Sequence, residues 1–379
     1  MLTKVHTILF TEACPLECRY CFLKDDDSYG RDKPMTYEEI LEAVDLYDRT
    51  DDPETCVSQL LFTGGEPFLF WQEIKEIIEK YGTRFEYAFN TSGYLFTEEI
   101  LEFLSHYKVS FVLSVDGDEK LTNYLRPVKS NKYRVGYFKK LKEILPTLLY
   151  YFPLTPYRII INPRYLDLLY QQYLTAEQLG FRYFTFILDF ECRPSKTIKG
   201  ITWNDEHTKM LQEQLDLIVQ EIILGFEAGI KKPKVLEIDR VIAFLFNQKP
   251  FTPDELICKV FDGRTLYTVS NREKETYCMG GVYPDRNDAW NAIMSAYNAL
   301  KGKCPTDPTC PAFEYCATQM CPKDSLDAHG EFFHGEELTC VTNKVCYESA
   351  LKLLAIANEM CPDSMVYKKY LNGFDYPEK

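Results

Sequence analysis

Apolar and polar positions along the first half of the chain alternate between two periods. Short runs rich in β-branched and aromatic residues occur at Val5–Phe10, Gln59–Thr63, Phe85–Asn90, Val109–Ser114, Tyr157–Ile161 and Tyr183–Leu188. Between them the apolar residues return at helical spacing, over Thr36–Arg49, Trp71–Tyr81, Thr97–Ser105, Val135–Leu145 and Tyr165–Leu179. Strands alternating with helices of this length predict βα units on a parallel sheet, either a partial or closed barrel or an open sheet. Thr36 with Glu39 predicts a capping box, and Thr97 with Glu98 and Glu99 a second helix start. Helical spacing resumes over Asn204–Gly229 and Val235–Phe246, broken at Lys231-Lys232-Pro233-Lys234, and again from about Glu348 to Met360.

In parallel α/β architectures, chemistry gathers at the C-terminal ends of the strands. The polar signatures fall there. The first strand runs into Cys14, Cys18 and Cys21, and the second into Thr63-Gly64-Gly65-Glu66-Pro67. The third runs into Asn90-Thr91-Ser92-Gly93 and the fourth into Ser114-Val115-Asp116-Gly117. Three thiolates at C-x3-C-x2-C spacing hold three irons of a cubane cluster and leave the fourth open to a ligand. Zinc is the alternative, with His6 as the nearby fourth ligand. An odd trio of cysteines cannot pair internally as disulfides.

Composition narrows the classes. The 379 residues suffice for a large domain plus a smaller one, and 43 Lys and Arg against 57 Asp and Glu give a net charge of −14. That balance argues against nucleic acid as a partner. No apolar run reaches membrane-spanning length, so no membrane association is expected, and fourteen cysteines without an export signal point to metal ligation in the cytoplasm. The cysteines divide the chain. Six lie between Cys304 and Cys346, preceded by Cys258 and Cys278, whereas only Cys56 and Cys192 lie between Cys21 and Cys258. The expected organisation is a catalytic domain over 1–200, a helical bridge over 201–257, a ligand-dependent domain over 258–346, and a closing helix and tail over 347–379.

The cysteine loop, with Tyr20 before its last thiol, and the following Gly-Gly-Glu-Pro turn resemble the radical S-adenosylmethionine (SAM) superfamily over roughly the first 200 residues. The resemblance implies a partial (β/α)6 TIM-like barrel holding a 4Fe–4S cluster on Cys14, Cys18 and Cys21. It also implies that the cofactor's methionine amino and carboxylate groups bind the open iron, and that one electron releases a 5′-deoxyadenosyl radical. By that resemblance Gly64, Gly65 and Glu66 meet the amino group. Asn90 and Ser114 contact the ribose and methionine, Arg126 the methionine carboxylate, and Tyr20 lies near the adenine. As plain strand-end residues, Asn90 and Ser114 are equally read as caps, and Asp116 either orients substrate or makes a turn.

The later cysteines resemble a SPASM extension, which implies two auxiliary 4Fe–4S clusters and three in all. Carried over in order, Cys258, Cys278 and Cys321 hold the nearer cluster, and Cys304, Cys310, Cys316 and Cys340 the farther. Five residues rather than two separate Cys304 from Cys310, Glu273 stands where glycine is usual, and Cys346 competes with Cys340. One auxiliary cluster plus a zinc knot is the alternative. Cys192, a non-cysteine group or the substrate itself completes the nearer cluster, and Cys192 is otherwise a hydrogen donor in the substrate cavity or a buried thiol. Cys56 and Cys361 are read as structural.

The expected function is that of a peptide maturase that abstracts hydrogen from a ribosomally made precursor peptide, thioether formation from a peptide cysteine being the specific expectation. Carbon–carbon cross-linking, epimerisation, side-chain oxidation and action on a small metabolite are alternatives, as is an iron–sulfur electron-transfer protein without radical chemistry. Met279 after Cys278 departs from sulfatase-maturating enzymes, where that position is acidic. Expected partners are a flavodoxin- or ferredoxin-type electron donor and, since the first strand starts near residue 4, a leader that binds elsewhere on the chain or through a separate leader-binding protein.

Overall fold

A computed structural model describes residues 2–21, 36–51, 53–54, 56–129, 135–189, 202–247, 267–269, 286–319, 325, 330–333 and 337–360. The predicted strands form as β1 (Leu2–Thr11), β2 (Cys56–Gly64), β3 (Glu86–Thr91), β4 (Val109–Ser114), β5 (Pro156–Ile161) and β6 (Tyr183–Leu188). Two short strands join them, β7 (Lys234–Val235) and β8 (Tyr267–Val269). All pairings are parallel, and the order is β7-β6-β5-β4-β3-β2-β1-β8. Neighbours in sequence are thus neighbours in space, as in a barrel wall, but the described edges β7 and β8 do not pair. The wall is a partial TIM-like barrel. It is wider than six strands because Lys234–Val235 pairs with β6 at one edge and three residues of the late Cys-rich segment pair with His6, Thr7 and Ile8 of β1 at the other.

Crossover helices cover the outer face: α1 (Tyr37–Thr50), α2 (Trp71–Tyr81), α3 (Glu98–Ser105), α4 (Glu119–Leu125), α5 (Tyr137–Tyr151) and α6 (Leu169–Gln178). Thr36 and Glu39 form the expected capping box on α1, and Thr97 Oγ1 accepts from Ile100 N on α3. The fifth helix was predicted to stop before Pro146, yet α5 continues through it to Tyr151. Burial explains the difference, since Leu141, Ile144, Leu145 and Leu148 all face the sheet and their packing outweighs one lost backbone hydrogen bond. The Tyr165–Leu179 stretch begins as a 3₁₀ turn, Pro163–Leu168, before α6.

The strands bury opposite faces in alternation. On β5, Tyr157, Ile159 and Ile161 are buried among the core side chains, while Arg158 and Ile160 line the interior. Phe62, Phe68, Phe89, Phe96 and Phe111 form a packed aromatic layer with ring centroids 4.8 to 6.4 Å apart.

Beyond the barrel come α7 (Asp205–Ala228), capped by Asn204 and ended by Gly229, and α8 (Leu236–Asn247). After them lie α9 (Arg286–Leu300), α10 (Phe313–Gln319) and α11 (Glu337–Met360). The last of these starts eleven residues earlier than its apolar pattern suggested and packs on α7 and α8. One continuous core runs from Ile8 to Leu353, and a smaller one groups Ile293, Phe313 and Phe333 with Cys304 and Cys316. Among the described residues no helix is long and apolar enough to cross a membrane.

Candidate active site

Strand β1 ends at Thr11, and the thiol loop that follows is pinned from two sides. On one side, Gly65 N donates to Thr11 O at 2.6 Å and Glu66 N to Ala13 O at 2.9 Å. A Cβ on Gly65 would lie 2.1 Å from Ala13 O, so only glycine lets the two backbones meet. On the other, Glu17 N donates to Pro127 O, Arg19 N to Leu125 O and Lys129 N to Pro15 O, beside a bridge between Leu16 and Val128. The loop is therefore held in place by the turn after β2 and by the segment after α4.

Glu66 is 1% exposed and its carboxylate is heavily used. It accepts from Thr91 Oγ1 at 2.6 Å, from Ser92 N at 3.0 Å, from the Ser92 hydroxyl and from Phe68 N at 3.4 Å. These bonds join the ends of β2 and β3 and cap the 3₁₀ turn Pro67–Phe70. Burial pushes its proton affinity up, against the lowering effect of those donors.

Asp116, after β4, is fully buried and sits at φ 125°, a left-handed backbone that a non-glycine residue rarely takes. Its carboxylate accepts from Arg126 Nε at 2.7 Å, Arg126 Nη2 at 3.3 Å, Ile160 N at 3.2 Å and the Tyr20 hydroxyl. Gln172 Nε2 donates to its carbonyl at 2.6 Å. Arg126, 6% exposed, turns its remaining terminal nitrogen to Cys18 Sγ at 3.8 Å and lies over the Tyr20 ring. Tyr20 and Arg126 are thus parts of one locked group beside the thiols, and Arg126 already has a carboxylate partner.

The strand ends enclose a cavity of about 360 Å³. Cys14, Cys18, Cys21, Tyr20, Gly64, Gly65, Glu66, Asn90, Ser114 and Arg126 all line it, so these residues singled out in the first half converge. Cys192, Cys258, Cys278, Cys321 and Cys361 lie outside the described residues, as does the side chain of Cys56. Other lining residues had not been singled out: Glu12, Leu16, Thr63, Thr91, Ser92, Arg158, Ile160, Ile187, Leu188 and Asp189. A signal for Arg158 was present, since a lone cation inside the run Tyr157–Ile161 sits at an alternate, inward position.

The described cysteines are all free thiols. Burial, with the Glu66 charge adding to it, pushes Cys14 up to about 12, so a metal must displace its proton to bind. No set of three described His, Cys, Asp or Glu side chains is positioned to hold a metal ion. His6 is buried and hydrogen-bonds Asp51 through Nε2 at 2.6 Å, stacked on Tyr47 at 3.9 Å, away from the cavity lining. Three soft thiols spread around a cavity, without that histidine, fit a polynuclear iron–sulfur group better than a zinc ion.

A second convergence lies at α10 and α11. Cys304, Cys310, Cys316 and Cys340 line a small pocket with Phe313, Asn343 and Lys344. Asn343 Nδ2 lies 3.1 Å from Cys316 Sγ, and burial pushes that thiol up to about 12. Cys346 is 1% exposed, belongs to the main core, and does not line this pocket.

Comparison with known proteins agrees with this arrangement. Residues 8–156 match the Radical SAM superfamily model. An uncharacterized protein of Methanocaldococcus jannaschii is 29% identical over 133 residues, 34% of this chain and 43% of that protein. The radical SAM cyclopropyl synthase TigE of Paramaledivibacter caminithermalis is 24% identical over 135 residues, 32% of this chain and 29% of TigE. The chain spans less than half the length of these curated relatives. Native anSMEcpe with bound AdoMet has a similar fold, with a TM-score of 0.67 at 16% identity over 94% of this chain and 100% of that one. The same protein with AdoMet and Cp18Cys peptide gives 0.66 at 16% identity over 94% and 99%. The family match falls on the strands that deliver the thiol loop and build most of the cavity wall, so in residues 8–156 the chain is similar to enzymes of the Radical SAM superfamily.

Proposed function

We propose that this protein is a radical SAM peptide maturase. The observation that carries the reading is the convergence of Cys14, Cys18 and Cys21 with Gly64–Glu66, Asn90 and Ser114 around one cavity. A pure electron carrier needs ligands for its cluster but no such enclosed space beside them. The three thiols would hold the cluster, which when bound supplies the electron that cleaves SAM to a 5′-deoxyadenosyl radical. The chain's own residues provide the rest. The Gly65 and Glu66 amides fix the thiol loop, the Glu66 carboxylate fixes the ends of β2 and β3, and Asn90 and Ser114 offer polar contacts to ribose and methionine. The Asp116–Arg126–Tyr20 group braces the Cys18 side of the loop.

The peptide substrate is supported by the fold shared with anSMEcpe, which has been solved with a peptide. We assign Cys304, Cys310, Cys316 and Cys340 to one auxiliary cluster, and the sequence resemblance adds Cys258, Cys278 and Cys321 for another. Thioether formation from a peptide cysteine is the specific reaction proposed. In it the substrate loses one carbon-bound hydrogen to the deoxyadenosyl radical, a thiol proton to solvent and one electron to an auxiliary cluster as the C–S bond forms. A flavodoxin- or ferredoxin-type protein would supply electrons.

The test is anaerobic reconstitution with iron and sulfide, reduction, and assay for 5′-deoxyadenosine with and without a Cys-containing precursor peptide. Formation of 5′-deoxyadenosine that is lost in Cys14→Ala, together with peptide lighter by a hydrogen pair, is the expected result. A reduced, iron-loaded protein that leaves SAM intact overturns the reading. Cross-linking between carbons gives the same mass but leaves the peptide thiol free to alkylation, and epimerisation leaves the mass unchanged.

A further inference from the structure

The cavity lining contains two guanidinium groups in different circumstances. Arg126 is neutralised by two hydrogen bonds to Asp116 and faces Cys18. Arg158, on β5, has no carboxylate within ion-pair distance among the described residues. Among the described residues its side chain donates one hydrogen bond, from Nη1 to Asn90 Oδ1 at 3.3 Å, and its buried Nε meets no acceptor. Glu237 feels its charge only from a distance and is itself engaged by Thr185 Oγ1 at 2.6 Å. Burial works against the Arg158 charge, yet a guanidinium does not shed its proton at ordinary pH. A charged fork that lines a cavity with no ion-pair partner among the described residues is a binding group waiting for an anion.

The fork is also held in position. Asn90 Nδ2 donates to Thr63 Oγ1 at 3.3 Å while its oxygen takes the Arg158 bond, which fixes a row from β2 through β3 to β5. Ser114 is the register partner of Arg158 and lines the same cavity, so a hydroxyl stands beside the guanidinium. The other neighbours on β5 and β6, Ile160, Ile187 and Leu188, are apolar. One cation with apolar flanks suits a singly charged, planar carboxylate better than a phosphate.

We propose that Arg158 binds a carboxylate presented by the substrate, which makes the substrate an acidic peptide segment. The inference rests on the radical SAM reading for the cofactor's place. By that reading, the cofactor's methionine amino and carboxylate groups would be held at the thiol loop. The guanidinium in contact with a thiol there is that of Arg126, and no contact joins Arg158 to Cys14, Cys18 or Cys21. The cofactor carboxylate is therefore the competing source, and the experiment separates the two.

Two capped tripeptide probes differ only in a central glutamate or glutamine, and their binding is measured with S-adenosylhomocysteine present. The wild-type protein is expected to prefer the glutamate probe by about tenfold, a difference of one charge-assisted contact. Arg158→Met should erase the preference, Arg158→Lys should keep part of it, and neither should change S-adenosylhomocysteine affinity. Circular dichroism checks folding, and Arg158→Gln stands in should the methionine variant fail to fold. No glutamate preference in the wild type, or an unchanged preference in the variants, overturns the proposal. A large loss of S-adenosylhomocysteine affinity in Arg158→Met also overturns it, by naming the cofactor's carboxylate as the occupant. Cleavage of SAM by the wild type is scored separately. Its absence sinks the radical reading, whereas its presence with no Arg158-dependent preference sinks this proposal alone.

Discussion

Arg126 holds Asp116 through Nε and Nη2, one nitrogen to each carboxylate oxygen, at 2.7 and 3.3 Å, with Asp116 wholly shielded from solvent. Removing the cation leaves an uncompensated buried charge. Arg126→Leu should therefore lower the unfolding free energy by about 3–5 kcal/mol, read by denaturant titration of the metal-free protein. The double variant Arg126→Leu with Asp116→Leu should recover a large part of that loss. A single variant as stable as wild type would show that the pair is not closed in solution.

Gly65 gives a second expectation. An added methyl would meet Ala13 O at 2.1 Å and push the thiol loop off β2. Gly65→Ala should cost about 1–3 kcal/mol as an overpacking change and reduce iron bound after reconstitution, whereas Gly82→Ala, which meets no atom within 4 Å, should leave iron content unchanged. Equal iron in both variants would contradict the close approach.

Cys340 and Cys346 are six residues apart on α11 but in different surroundings. Cys340→Ala should lower iron content, because the thiol lines the four-cysteine pocket. Cys346→Ala should leave iron content alone and lower the melting temperature through the lost core contact. The reverse pattern would move the ligand role to Cys346.

Glu237 predicts a pH dependence. Burial raises its proton affinity in the folded chain above the usual carboxylate value. The unfolded chain then gives up this proton first as pH rises, so stability falls from about pH 4.5 upward until the folded carboxyl ionises. Glu237→Gln keeps the acceptor for Thr185 and removes that slope. The variant should match wild type near pH 4 and exceed it near pH 8 in denaturant midpoint. Equal pH profiles would place the proton elsewhere.

The six long strands and the first-half helices were legible because their periods differ and both faces of a parallel wall are apolar or motif-bearing. The thiol loop, the Gly64–Glu66 turn, Asn90 and Ser114 were legible because each follows a strand directly. What escaped had non-local causes. Lys234–Val235 and Tyr267–Val269 are too short to show a period and become strands only by pairing with β6 and β1. The Arg126–Asp116 bond spans ten residues, and nothing in the spacing says that the arginine's partner comes from its own chain. The start of α11 at Glu337 was hidden by cysteines, which read as ligands rather than as helix residues.

The pairing of Tyr267–Val269 with His6–Ile8 has a consequence for assembly of the chain. The strand that leads into the thiol loop keeps one row of backbone donors and acceptors uncovered until residues translated some 260 positions later arrive. Until then that flank is a template for any extended segment nearby. A protein cut back to its first 250 residues should therefore self-associate through β1, even with every residue of the cavity in place.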